Sequence, residues 1–287
     1  MNALKDLFHR HGHWLLALVW AGCAFAVGPV VGTSTRSASR PVQLVIVIGL
    51  WTLWAIGLLA ALVRLPAALV VLRVTAPGPF FVSAACAVAG HTNVVAVAVS
   101  TLAALGPFAP TVADRWVQGG AYGHEKRFVL RAPGALLLGP IELTWVAAAA
   151  AVCVGPLLLA NRFWIAGILC VAAGVGVCVA GFRSYWVLAD RWLVIVPAGV
   201  VLHDRFALSE TVMCPHRSIG AIGAATVGTN AYDFTMGSLG LAIEVTMREP
   251  VPMTPRPARG GAACTLEPSA WLCTPSSPAA FLAALPS

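Results

Sequence analysis

Glu142 is the acidic residue set deepest in an apolar run, within Leu138-Gly139-Pro140-Ile141-Glu142-Leu143-Thr144-Trp145. An ionised carboxylate at membrane depth costs several kcal/mol, so such a residue is a candidate proton or cation relay. Pro140 and a separation of about three helical turns from Arg131 also leave it within reach of interfacial water or a basic partner. His9, His11 and His13 alternate around Arg10 and Gly12. Residues two apart point to different sides of a helix, so the three do not converge on a metal there. His91 and Asn93 sit in a break between apolar runs and read as the cap of a short hairpin. Of the eight cysteines, Cys23, Cys86, Cys153, Cys170 and Cys178 lie in apolar runs and behave as small hydrophobes, and no Cys-x-x-Cys occurs. The expectation is therefore no metal and no cofactor. No Gly-x-Ser-x-Gly, His-Glu-x-x-His or paired carboxylates occur, and Gly119, Gly120 and Gly123 precede no Gly-Lys-Ser/Thr, so no catalytic motif argues for an enzyme.

The elements that must position these groups are apolar. The chain is 59% hydrophobic and 10% charged, with a mean hydropathy of +0.84. Soluble domains stand near 45–50% apolar and about 25% charged. Between Trp14 and Arg183 the charges form short clusters separated by long neutral runs, the pattern imposed by a bilayer that about 20 apolar helical residues cross. The net charge of +7 lies mostly between these runs. It marks topology rather than a nucleic-acid surface, which needs interleaved basic and aromatic residues on a soluble face.

Spans read over residues 14–32, 41–63, 133–160 and 163–182, with an uncharged stretch at 74–113 between them. One helix of that stretch would extend about 60 Å, twice the hydrocarbon thickness. Gly90-His91-Thr92-Asn93 divides it into 74–90 and 92–105, both short, with a re-entrant hairpin as the alternative. Six spans with the N-terminus inside put ten basic residues on the cytoplasmic side (Lys5, Arg10, Arg64, Arg73, Arg115, Lys126, Arg127, Arg131, Arg183, Arg191) against Arg36, Arg40 and Arg162 outside. Five spans with the same cytoplasmic C-terminus give eight against five. The expectation is six spans, five as the alternative, with both termini cytoplasmic in the cell membrane. Residues 1–13, with Leu4, Leu7 and Phe8 on one face, read as an interfacial helix and not as part of a cleaved signal, since no Ala-x-Ala follows the first span. Trp14, Trp164 and Trp186 fit an aromatic belt.

Helices in lipid associate through small residues that let backbones approach. Ala147, Ala151 and Gly155 in one span, and Ala166, Cys170, Gly174 and Cys178 in the next, form such stripes across the Asn161-Arg162 turn. The loop over 113–132, within a bundle spanning 14–185, offers Arg115, Tyr122, Lys126, Arg127 and Arg131 to anionic lipid or to the C-terminal domain, with a solvated connector as the plain alternative.

Residues 186–287 turn to β patterning. Strands read at 192–196 and 200–203, a hairpin through Pro197-Ala198-Gly199, and at 211–214, 219–222, 241–247 and 271–273. Residues 250–261 read as a mobile Pro- and Gly-rich loop, and Ser277-Pro278 opens a final helix over 279–285. Val194-Ile195-Val196-Pro197-Ala198-Gly199-Val200-Val201-Leu202, Pro215-His216-Arg217-Ser218-Ile219 and the Phe281-Leu282 helix resemble bacterial pleckstrin-homology-like domains. Through Tyr122-Gly123-His124-Glu125-Lys126-Arg127-Phe128 and Leu136-Leu137-Leu138-Gly139-Pro140, the whole chain resembles actinobacterial multi-pass membrane proteins of this layout. The resemblance implies a helical membrane bundle followed by a small β-rich domain, and it implies no activity. The clustered Lys and Arg of phosphoinositide-binding relatives are missing from the first hairpin. The bundle's few polar residues (Glu142, Thr144, Ser100 and Thr101) favour a non-enzymatic scaffold whose cytoplasmic domain docks a protein partner, a second copy or a lipid surface. A small transporter or channel built on Glu142 is the alternative.

Overall fold

The computed structural model describes residues 2–91, 93–137, 139–257, 261–262 and 264–285, with side chains from Trp14 onward. The side chains of His9, His11, His13, Leu4, Leu7 and Phe8, and residues 258–260 of the expected loop, lie outside what is described.

The chain divides into two compact units. The first holds residues 1–116 and 144–181. Its helices are α1 (Asn2–Ser34), α2 (Arg40–Leu62), α3 (Pro66–Thr75), α4 (Pro77–Val88), α5 (Val94–Leu105) and α6 (Pro110–Gln118), which runs to the edge of the unit. Most of α8 (Pro140–Ala160) and α9 (Trp164–Ala189) follow, after the single turn α7 (Gly134–Leu137). Among the described residues, five segments are long and apolar enough to cross a bilayer: Trp14–Ser34, Arg40–Leu62, Pro66–Val88, Gly134–Ala160 and Trp164–Ala189. A sixth is complete only if the pair Val94–Phe108 and Pro110–Gln118, bent by 58°, counts as one span. On its own α5 has 12 residues, about 18 Å against a hydrocarbon core of about 30 Å.

The third span begins at Pro66 rather than near 74, because Arg73 does not end the helix. Its guanidinium donates to Pro107 O at 3.2 Å and lies 5.8 Å from the Phe108 ring. With the charge met locally, the backbone continues past it. Indole N–H groups tie the remaining helices to one another's carbonyls. Trp20 donates to Trp54 O and Trp54 to Trp20 O, Trp116 donates to Ala60 O, and Trp145 to Val74 O. An apolar ring with one satisfied donor suits a helix interface that contains no water.

The second unit holds residues 117–143 and 182–287. One sheet is β1 (Lys126–Val129), β2 (Arg191–Val196), β3 (Gly199–Asp204) and β4 (Val212–Pro215), all antiparallel in that order. The other comprises β5 (Ile219–Ala224), β6 (Tyr232–Asp233), β7 (Ile243–Met247) and β8 (Ala270–Cys273), in the order β5-β7-β8-β6. The closing helix is α10 (Pro278–Ala284). The β2/β3 hairpin follows the alternation expected at 192–203, and β4 lies so close to the start of β3 that a Cβ on Gly199 would stand 2.0 Å from Cys214 O. Leu193, Ile195, Val200 and Leu202 face a core completed by Ile243, Val245, Trp271 and Phe281. Phe128 of β1 meets Phe281 edge-on at 5.4 Å. The Pro-rich segment expected to be mobile delivers Met253 into this core, with bridges from Met253 to Leu266 and from Pro255 to Leu208.

The segment 113–132 is not a plain connector. Lys126 to Val129 pair with Ile195 to Trp192, so the sheet takes its first strand from before the last two spans and its second from after them. Strands hydrogen-bonded in one sheet lie on one face of a bilayer, so the α8/α9 pair between them crosses out and back.

At this junction Arg191 and Asp204 form a bidentate pair, 2.8 Å on each arm and with side chains 1% and 0% exposed. Arg191 also donates to Arg131 O, and Asp204 accepts from Phe206 and Ala207 N–H. Removing one partner leaves a buried, uncompensated charge. We expect Arg191→Met to destabilise the domain by about 3–5 kcal/mol, and Arg191→Lys not to restore it, because an ammonium cannot supply the planar fork. Thermal unfolding of the detergent-solubilised full-length protein measures both.

Candidate functional site

The second unit carries a solvent-open groove of about 520 Å3 beside the β2/β3 turn. Its lining combines the apolar Ile195, Val196, Pro197 and Ala284 with Lys126, His124 and His216. Each part has a local cause. Lys126 opposes Ile195 in the β1/β2 register. The His216 backbone N–H donates to Ala198 O, which holds the turn against the end of β4. Among the described residues none of the three basic side chains forms an ion pair with a carboxylate, so the groove retains its capacity for an anionic ligand. The volume falls in the usual range of small-ligand sites.

The other residues expected in the basic loop have different fates. Arg131 turns to its own domain, donating to Leu239 O at 3.2 Å, while its carbonyl accepts from Arg191 and Ser238. Arg127 pairs with Glu125 at 3.0 Å and stands 5.6 Å from the Trp192 ring. The hydrogen bond from Arg127 holds the Glu125 carboxyl below its usual range. The Gln118 side chain covers the outer edge of β1, accepting from Arg127 N–H and donating to Glu125 O. Tyr122 is fully out in solvent, and Arg115 lies half-buried on α6 in the first unit. Of the five residues expected to act together, only Lys126 borders the groove.

Glu142 stands in the first turn of α8, inside the apolar segment Gly134–Ala160. Gly139 interrupts the helix, and the carboxylate three residues later accepts the Gly139 N–H at 3.0 Å. This is half of a capping box, and an acid in the first turn is also favoured by the helix dipole. The side chain is exposed, and Tyr185 donates to the neighbouring Ile141 O. The cap gives the carboxylate a structural role.

In the helix pair, Gly174 fits against Ala151 and Gly155 against Val171, where added Cβ atoms would come within 2.7 Å of those side chains. Gly167, outside the expected stripe, packs equally closely on Leu159. Cys170 and Cys178 are half-buried, but Ala147 and Ala166 face outward. On α9 the contact runs through Gly167, Val171 and Gly174, and on α8 through Leu159, Gly155 and Ala151, the last two in the expected four-residue stripe.

A second polar cluster lies where α9 meets the sheet. His203 contacts Thr211 Oγ1 through Nδ1 at 2.7 Å and Asp190 through Nε2 at 3.1 Å. Asp190 also pairs with Arg205 at 3.0 Å, and Trp192 stacks on the His203 ring at 4.7 Å. Acid, imidazole and hydroxyl are thus within hydrogen-bond reach, yet Asp190 is shared with Arg205 and both imidazole nitrogens are engaged, one with Asp190 after α9 and one with Thr211 before β4. Among the described residues no group of three His, Cys, Asp or Glu is placed to hold a metal.

The three cysteines of the second unit differ in reactivity. Burial pushes the Cys214 thiol up to about 11 and raises Cys273 further, while Cys264 is exposed. The thiolate is the reactive form. Near neutral pH a water-soluble maleimide is therefore expected to modify Cys264 and spare Cys214 and Cys273 in the folded protein, with mass mapping as the readout.

A scan against protein-family models and searches of the curated proteins and of the solved structures each find no match to this chain.

Proposed function

We propose that the protein is a membrane-anchored docking protein without enzymatic activity. Its helices hold the β-rich domain at the surface of the cell membrane, and the domain receives an acidic segment of a second protein. The observation that carries this reading is the groove bordered by His124, Lys126 and His216, three basic groups without a described carboxylate partner beside apolar lining residues. A carboxylate- or phosphate-bearing peptide with one apolar side chain matches both parts. The two-sheet core closed by α10 supports a pleckstrin-homology-like reading of the domain.

The distribution of Lys and Arg supports a reading with both termini in the cytoplasm. That orientation requires the bent α5/α6 pair to act as a sixth crossing. Its own test is the exposed Cys264, which a membrane-impermeant maleimide should reach only after the cells are permeabilised.

The docking itself is tested by a photo-reactive residue at position 284, in the groove lining, in intact cells. A discrete protein adduct is expected in the otherwise native chain and should disappear in Lys126→Glu/His216→Glu. An adduct unchanged by this charge reversal, or adducts to lipid alone, would defeat the proposal.

A further inference from the structure

A different site opens in the first unit, where α1, α2 and α4 leave an apolar groove of about 170 Å3. Val27, Gly28 and Gly32 form one wall, Trp51 and Trp54 the facing wall, and Val82 the back. The Trp wall is fixed. Trp54 is locked to Trp20 by reciprocal indole-to-carbonyl bonds of 3.2 and 2.8 Å and meets Trp51 edge-on at 5.2 Å. The opposite wall is open by construction, since a Cβ on Gly28 or Gly32 would touch nothing within 4 Å.

The groove runs to Thr35, at the loop joining α1 to α2. Gln43 holds that loop by donating to the carbonyls of Thr35, Arg36 and Ala38. Arg36 and Arg40 are exposed on it, and neither is in an ion pair with a described residue. Their partner does not come from this part of the chain, because no Asp or Glu lies between Asp6 and Asp114. Beside them the Ser34 hydroxyl is buried with no hydrogen-bond partner. The groove thus reaches Thr35, and the chain at that end carries Arg36, Arg40 and the unsatisfied Ser34 hydroxyl.

We infer that this groove binds one anionic phospholipid, with an acyl chain between α1 and α2 and the headgroup phosphate against Arg36 and Arg40. Basic groups at the ends of spans attract anionic headgroups, and a guanidinium matches the paired oxygens of a phosphate. An apolar chain alone would not use the arginines, and a soluble phosphate would not use the groove.

Native mass spectrometry of the detergent-solubilised full-length protein tests this, with phosphatidylglycerol and phosphatidylcholine of matched chains as probes. The native chain should retain phosphatidylglycerol in preference, on the order of tenfold for two arginines at the surface. Arg36→Gln/Arg40→Gln should abolish the preference while weak binding of both lipids remains. Gly28→Leu should lower occupancy by both lipids, and Gly32→Leu repeats that test if the first variant melts early. Soluble glycerophosphate should not displace the lipid. Equal retention of the two lipids by the native chain, a preference that survives loss of both arginines, native occupancy in the glycine variants, or displacement by glycerophosphate would each overturn the assignment.

Discussion

The structure depends on one pairing, that of β1 with β2 across 61 intervening residues of membrane hairpin. A sheet ladder cannot be drawn through hydrocarbon, because each unsatisfied amide there costs several kcal/mol. The hairpin must therefore return to the face from which it left. The β-rich domain is consequently held by two chain segments and not by a single terminal tether, and it is complete only when both spans have been inserted.

The charges around this pairing are matched to it. Arg191 follows α9 by two residues and is buried against Asp204 at the far end of the β2/β3 hairpin, with its third bond to the carbonyl just beyond β1. A buried ion pair contributes little net stability, since desolvation offsets much of the Coulombic gain, but it penalises any arrangement that separates its members. Here its members report on three segments at once. The Asp190, His203 and Arg205 cluster repeats the theme on the outer face, linking the last residue of the helix region to β3.

Much of this was legible in the sequence where the determinants are local. The β2/β3 hairpin shows period-2 alternation around Pro197-Ala198-Gly199, and α10 is announced by Ser277-Pro278. The neutral runs mark four of the spans, because lipid demands length and apolarity within a single segment. What escaped notice depends on partners far away. β1 is only Lys126-Arg127-Phe128-Val129, with one basic and one apolar residue on each face and so no alternation to read, and it becomes a strand because Trp192 to Ile195 lie alongside it. Arg73 looks like a span boundary until Pro107 and Phe108 are seen to receive it. Glu142 looks buried in an apolar run until the break at Gly139 places it in a first turn. The four-residue stripe holds on α8 at Ala151 and Gly155, whereas on α9 the contact runs through Gly167 and Gly174, where a side chain has no room. His124 and His216 belong to one groove only through the fold, with no spacing between them to notice.

The most direct measurement is a disulfide across the β1/β2 register, placed by Arg127→Cys with Val194→Cys, which are direct partners. Opposed Cβ atoms in such pairs stand about 4.5–5.5 Å apart, close enough to bridge with a small adjustment. With the native cysteines replaced and a protease site set into the Asn161-Arg162 turn, oxidation in intact membranes followed by cleavage should leave one species on a non-reducing gel and two after reduction. Two separate fragments without reduction would mean that β1 and β2 do not meet, and that the domain is not built around the membrane hairpin.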